Sequence, residues 1–212
     1  NSRDMLASAS GSYGSLAWGY DGVGNRLSEG AANYTYPPIS NRLSSVSAPA
    51  PRTLLYDAMG NIKSDQRATG LYTYTYDASG RMASVKKDGT SQATYLYNWQ
   101  GQQVYRRFKN PSSFVKYHSL HDLSGNRIAE YNATSSGTPT LLREYLWLGP
   151  QPVAVIEGGV IHSVRADNIN RPVFATNPAG TKVWTASYSP FGTVVATTGT
   201  PIENHLGELW SL

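Results

Sequence analysis

Hydrophobic and polar positions alternate with a period of two along most of this chain. The stretches Leu71-Tyr72-Thr73-Tyr74-Thr75-Tyr76 and Ala93-Thr94-Tyr95-Leu96-Tyr97 are the clearest cases. Alternation in β-branched and aromatic residues predicts half-buried strands. No stretch carries a helical stripe at i, i+3 and i+4, so the fold class is predicted to be all-β.

The alternation is punctuated by a repeat. An aromatic residue, then Asp or Asn, two variable residues and Gly recur as Tyr20-Asp21-Gly22-Val23-Gly24, Tyr56-Asp57-Ala58-Met59-Gly60, Tyr76-Asp77-Ala78-Ser79-Gly80 and Tyr97-Asn98-Trp99-Gln100-Gly101. His121-Asp122-Leu123-Ser124-Gly125 places His in the aromatic position, and Tyr36 to Leu43 is a degenerate copy. The period is about 20 residues, two strands and two turns. Looser echoes follow at Asp167 to Asn170, Asn177 to Gly180 and Ser189 to Gly192.

Each position of the motif has a mechanical role. The short side chain of Asp or Asn accepts from backbone N–H groups two residues on and so opens a turn. Gly takes the left-handed conformation that closes a hairpin, often beside a bulge. Asn170 takes that place in one copy, as the next residue best tolerated at positive φ. The structural turn residues are therefore Asp21, Gly24, Asp57, Gly60, Asp77, Gly80, Gly101, Asp122, Gly125, Asp167, Asn170, Gly180 and Gly192. Second turns are expected at Lys87 to Thr90, Asn110 to Ser112 and Glu157 to Gly159. Eight or nine repeats supply roughly 16 to 18 strands, a width on the order of 80 Å. A twisted meander of that size is expected to curl into a spiral wall or split into two faces. Stacked repeats would align Asp and Arg in ladders near the turns, with Arg26, Arg81 and Arg127 as the basic members.

On these motifs the chain resembles the RHS/YD-repeat family. Its second half resembles the RHS-associated core, through Arg143-Glu-Tyr-Leu-Trp-Leu-Gly149, Pro152 to Ile156, Arg165 to Pro172 and Val183 to Gly192. The resemblance spans about residues 13 to 200 and divides the chain into a YD-repeat hairpin array at 1–142, core strands at 143–200 and a divergent tail at 201–212. It implies a β-ribbon that spirals into a hollow shell around a toxin in a secreted or cell-surface bacterial protein. The implied partners are the remainder of such a shell and its toxin cargo. The family's Asp-Pro-x-Gly self-cleavage element has no counterpart in this sequence, so the chain is expected to be a truncated piece of the wall, with strand edges that self-associate.

Composition removes several alternatives. The chain has 212 residues, no Cys, four His and a formal charge of +4. Without Cys there is no disulfide framework and no thiolate zinc site. The basic residues are adjacent only at Lys86-Lys87 and Arg106-Arg107, unlike the clustered face of a nucleic-acid binder. No apolar run is long enough for a membrane-spanning helix. Of His118, His121, His162 and His205, the first two straddle a strand end and its turn, and no Cys or nearby acidic cluster completes a metal site, so no metal or cofactor is implied. Asp21, Asp57, Asp77 and Asp122 each open a turn, which accounts for them without acid/base chemistry. No Gly-x-Ser-x-Gly elbow or phosphate-binding loop is present. Asn33 and Asn132 begin glycosylation-type triplets, which are common by chance and which the bacterial source implied by the resemblance makes uninformative.

The expected role is thus non-enzymatic: a structural segment of an encapsulating shell. The alternative is an adhesin-like module that binds carbohydrate or protein, with Tyr72, Tyr74, Tyr76, Tyr95 and Tyr97 as candidate ligand-stacking rings. The simpler reading of those rings is cross-strand cover for a sheet face.

Overall fold

The computed structural model describes residues 4–110, 113–132 and 137–199. Its regular structure there is entirely β, in nineteen strands, with no helix among the described residues. The chain forms two compact units, Asn1–Tyr95 and Leu96–Leu212. The first contains β1 (Ser8–Gly11), β2 (Gly14–Tyr20), β3 (Arg26–Glu29), β4 (Ala32–Thr35), β5 (Ser45–Val46), β6 (Arg52–Tyr56), β7 (Ile62–Arg67), β8 (Gly70–Tyr76) and β9 (Met82–Lys87). Strand β10 (Thr90–Tyr97) begins there and ends at the start of the second unit. The second unit continues with β11 (Gln103–Asn110), β12 (Ser113–His121), β13 (Arg127–Asn132), β14 (Thr140–Leu148), β15 (Gln151–Glu157), β16 (Val160–Ala166), β17 (Pro172–Thr176), β18 (Lys182–Tyr188) and β19 (Val194–Gly199).

Within each unit every strand pairs antiparallel with the next in sequence. Each is an antiparallel meander. Alternate connections therefore fall at the same end of the strands. One end of the first unit carries the loops at 21–25, 36–44, 57–61 and 77–81. The matching end of the second carries 98–102, 122–126, 149–150, 167–171 and 189–193. The Asn177 turn falls at the opposite end. That echo of the motif has the local chemistry of the others without their place in the repeat.

The position between residues 142 and 143 lies inside β14, while 201–212, His205, Pro111-Ser112 and Ala133-Thr134 lie outside the described residues. Burial follows the pleat, with charged groups on the inner side. Along β14, Arg143 and Tyr145 are buried while Leu141, Leu146 and Leu148 are exposed. The apolar core of the second unit is one row across neighbouring strands: Tyr145, Val155, Val164, Ala175 and Trp184. In the first unit Trp18, Ala32 and Leu54 are buried, and Leu54 pairs across the sheet with the buried Asp65.

The fourth residue of each five-residue loop sets its sharp bend. Gly80 has φ of 76° and Gly125 of 91°, and Asn170 takes the same place with φ of 65°. A Cβ at Gly80 would meet nothing within 4 Å, so substitution there isolates backbone strain from crowding. Gly80→Ala is expected to destabilise by about 1 kcal/mol or more, whereas Asn170→Gly stays within about 0.5 kcal/mol of the parent. Urea unfolding midpoints of the two variants check this. Equal midpoints would remove the conformational role.

Candidate functional site

Eight loops share one hydrogen-bond pattern. In the loop opened by Asp77, the Asp77 N–H donates to Arg81 O (2.8 Å) and the Gly80 N–H to Asp77 O (3.0 Å). The Asp77 carboxylate closes the loop from inside: Oδ1 accepts from the Ser79 and Arg81 N–H groups, and Oδ2 from Arg81 Nε at 2.8 Å. The same backbone pair recurs in the loops opened by Asp21, Asp57, Asn98, Asp122, Asp167, Asn177 and Ser189. The fifth loop residue reaches back with its side chain: Asn25 to Asp21, Asn61 to Asp57, Asn126 to Asp122 and Arg171 to Asp167. Donors converging on each carboxylate hold it below the usual carboxylate value. At Asp77 the Arg81 N–H is the largest cause, and at Asp57 and Asp122 it is the Asn61 and Asn126 side chains.

This geometry removes the Arg ladder. Arg81 is the fifth residue of its loop and pairs with its own Asp77 at 2.8 Å. Arg26 and Arg127 stand one place later and pair with Glu29 and Glu130. The three Arg side chains are not equivalent, because one belongs to the loop and two to the strand after it.

A second bond links several repeats to their predecessors. The aromatic residue before the loop donates to a backbone carbonyl at the outgoing end of the previous loop. Tyr36 Oη donates to Arg26 O (3.0 Å), Tyr56 Oη to Leu43 O (2.7 Å), Tyr76 Oη to Ile62 O (2.7 Å) and Tyr188 Oη to Pro172 O (2.6 Å). Trp147 does the same with Nε1 to Arg127 O at 2.8 Å. Sequence reasoning missed this role, although the fixed place of the aromatic residue beside the Asp was its signal. Only an amphipathic ring long enough to cross one strand spacing suits it. The His121 copy presents a ring whose Nδ1 is buried without a hydrogen-bond partner.

A bulge comes directly after the loops at 21–25, 57–61, 77–81, 122–126, 167–171, 177–181 and 189–193 and decides which side chains share a face. Tyr20 pairs with Arg26 and Trp18 with Glu29, so Leu27 is the extra residue. His121 pairs with Arg127 and Ser119 with Glu130, with Ile128 as the extra one. Residues three apart in a flat strand face opposite sides. Here the inserted residue returns Arg26 and Glu29, and Arg127 and Glu130, to one side. The two pairs close at 2.7 and 3.1 Å.

Glu130 is the centre of the largest such cluster and is fully buried. Its Oε1 accepts from Arg106 (3.0 Å) and Arg127 (3.1 Å), its Oε2 from Arg143 (3.1 Å) and the Tyr145 hydroxyl (2.9 Å). Asp65, also fully buried, is held by a two-pronged Arg52 (3.1 and 2.6 Å) and by Arg67 Nε (2.6 Å). Burial pushes both acids up. The guanidinium groups around them outweigh it and hold both below their ordinary values. Tyr145 moves the other way: burial, then the Glu130 charge, raises its hydroxyl pKa. Charge-assisted bonds of this kind use both oxygens of each acid. The arrangement fastens strands together and leaves no free lone pair facing solvent.

The sequence-predicted residues divide accordingly. Every turn residue lies in one of the loops above. Tyr76 is a tie between repeats, and the Tyr74 hydroxyl faces Arg67 at 3.2 Å. The Tyr72 ring is faced by Arg67 at 4.4 Å and Lys87 at 5.8 Å. Tyr95 and Tyr97 lie on β10 at the junction of the units. The buried acids and their Arg partners carried no sequence signal, since they come from two strands at Asp65 and three at Glu130. Among the described residues no group of three or more potential metal ligands gathers.

Tyr76→Phe removes one tie and is expected to cost about 1 kcal/mol. Glu130→Gln leaves guanidinium groups buried without their counter-charge and is expected to cost about 3–5 kcal/mol. Because the folded pKa of Glu130 lies below its ordinary 4.5, its contribution is complete above that pH and is lost as pH falls through the folded value. Chemical unfolding across pH 3 to 7 should show a fall in stability below about 4.5 that is shallower in Glu130→Gln. An unchanged acid limb in the variant would assign the acid loss to other groups.

No family model matches this chain, and no curated protein does. Among solved structures it is similar to the TcdB2-TccC3 chain without its hypervariable C-terminal region, at 11% identity and a TM-score of 0.36 over 92% of this chain. It is similar also to the TcdB2-TccC3 chain in a structure with Cdc42, at 11% identity and a TM-score of 0.33 over 87% of this chain. The third is a Photorhabdus luminescens Tc holotoxin pore carrying a TccC3 mutation, at 10% identity and a TM-score of 0.33 over 92%. In each case the chain spans 16% of the length of the structure it matches, and likeness of this degree assigns it no activity.

Proposed function

We propose that this chain is a non-enzymatic length of a hairpin wall that encloses a toxin or effector polypeptide within a secreted or cell-surface bacterial protein. The observation that carries the reading is the repetition of one mechanical unit. Loop, tie and bulge recur, and the distinctive side chains of each repeat are used to hold the next one in register. A wall has to resist opening along its length, and nearest-neighbour ties supply that resistance without a thick core. The buried carboxylates support the same reading: both oxygens of Glu130 and of Asp65 are taken by internal donors. A general acid or base needs reach to a substrate proton. The mechanism proposed is steric, with paired backbone separating the guest from its surroundings.

The carbohydrate reading draws less from the geometry. Tyr74 and Tyr76 direct their hydroxyls inward, and Tyr72 already has cations against its ring.

Limited proteolysis of the full natural polypeptide containing this chain tests the proposal. A guest segment is expected to survive at least tenfold longer in the intact protein than alone, and to lose that protection in Glu130→Gln under conditions where the variant opens. Digestion at the same rate with and without the wall would overturn the reading, as would electron microscopy showing no internal space.

A further inference from the structure

The two ends of each hairpin array differ in chemistry. The six large hydrophobic residues that are more than 70% exposed among the described residues are Val23 (74%), Ile39 (98%), Met59 (76%), Trp99 (89%), Leu123 (95%) and Leu148 (71%). All six lie in or beside loops at the end that carries the Asp-x-x-Gly turns. In the second unit Ile169 and Phe191 continue the row, both at least half exposed. The opposite end turns through small and polar residues such as Gly158-Gly159 and Asn177 to Gly180, and among the described residues only Ile161 (53%) is a large hydrophobic residue at least half exposed there. Solitary exposed apolar residues need no explanation, but a row concentrated on one edge does.

In each unit that edge also carries a hollow. A groove of ≈ 430 Å³ lies between the Asp122 turn and the Gly149-Pro150 turn, walled by Asp122, Ser124, Asn126, Trp147, Gly149 and Pro150. In the first unit a second groove of ≈ 430 Å³ lies between the Asp21 turn and the Pro37-Pro38 segment. Neighbouring turns on one edge are two strands apart, roughly 10 Å, so projections and hollows share that spacing.

We infer that the Asp-x-x-Gly edge of the second unit is a self-complementary docking surface, on which a second copy of this chain seats its turn tips in the grooves between turns. Area supports this occupant. Trp99, Leu123, Leu148, Ile169 and Phe191 offer on the order of 500 Å² of apolar surface. At the usual apolar share of about 57%, this is the apolar part of the ~800 Å² per partner of a stable interface. A lipid surface suits the edge less well. The tips are separated by turns whose carboxylates, Asp122 and Asp167, hold their charge beside them, and inserting the tips would draw those charges toward hydrocarbon. This docking differs from pairing of open strand edges, because it uses side chains at the turns and no backbone ladder. It also does not depend on the shell reading.

The chain has no Cys, so single thiols report contacts without background. A mixture of Leu123→Cys and Pro150→Cys copies is expected to form a disulfide-linked pair under mild oxidation. Ala179→Cys, at the opposite end, should not link with either. Sedimentation is expected to show a concentration-dependent dimer that Trp99→Ser with Leu123→Ser weakens at least tenfold, while far-ultraviolet circular dichroism stays unchanged. A monomer at the highest soluble concentration would overturn the inference. So would a dimer indifferent to the two Ser substitutions, which points to strand-edge pairing, or a monomer that binds zwitterionic phosphatidylcholine vesicles through the same tips.

Discussion

The rest of the structure depends on the closure of a short loop by one carboxylate. A hairpin array has no helices or second layer to place its strands, so each reversal of the chain must set its own register. Asp at the mouth of the loop does this by accepting two backbone N–H groups on a single oxygen. A residue of positive φ three places on completes the bend. Asn98 and Asn177 substitute for Asp because a carboxamide oxygen accepts the same two donors. At Ser189 the hydroxyl accepts from the Thr193 N–H, and the backbone pair is kept.

Two further features follow the loop in a fixed order. The bulge inserts one residue into the outgoing strand and brings the fifth and eighth positions after the turn-opening residue onto the inner face. The fifth supplies the carbonyl to which the next repeat is tied by a ring hydroxyl or indole N–H. The eighth is an acid in three repeats, Glu29, Asp65 and Glu130, and an apolar residue in two others, Val85 and Ala175. A buried acid must be paired, and neighbouring strands supply Arg to the same face. The stability of the array is thus divided between local loops, which any one repeat can form, and charged centres that need several strands at once.

That division accounts for the amphipathic character of the strands. Leu146 and Leu148 point outward while Arg143 and Tyr145 point inward, an inversion of the usual hydrophobic phase. Such a face tolerates charge because each guanidinium meets a carboxylate or a ring. Arg106, for example, contacts Glu130 and lies 4.9 Å from the Tyr117 ring. Leucines are left on the other side, and the turn tips extend that apolar surface to one edge.

Sequence by itself determined the elements and their punctuation. Strand period, turn position and even the substitution of Asn170 for Gly were readable, because each depends on residues within five places of one another and on backbone sterics. Tertiary structure decided which face of each strand is buried, what the aromatic residue beside the Asp is for, and which Arg meets which acid. Those outcomes turn on a one-residue bulge that reverses side-chain phase, and on contacts such as Arg106 with Glu130 that join residues 24 positions apart. Alternation in a sequence reports that two faces exist; only the pairing of strands tells them apart.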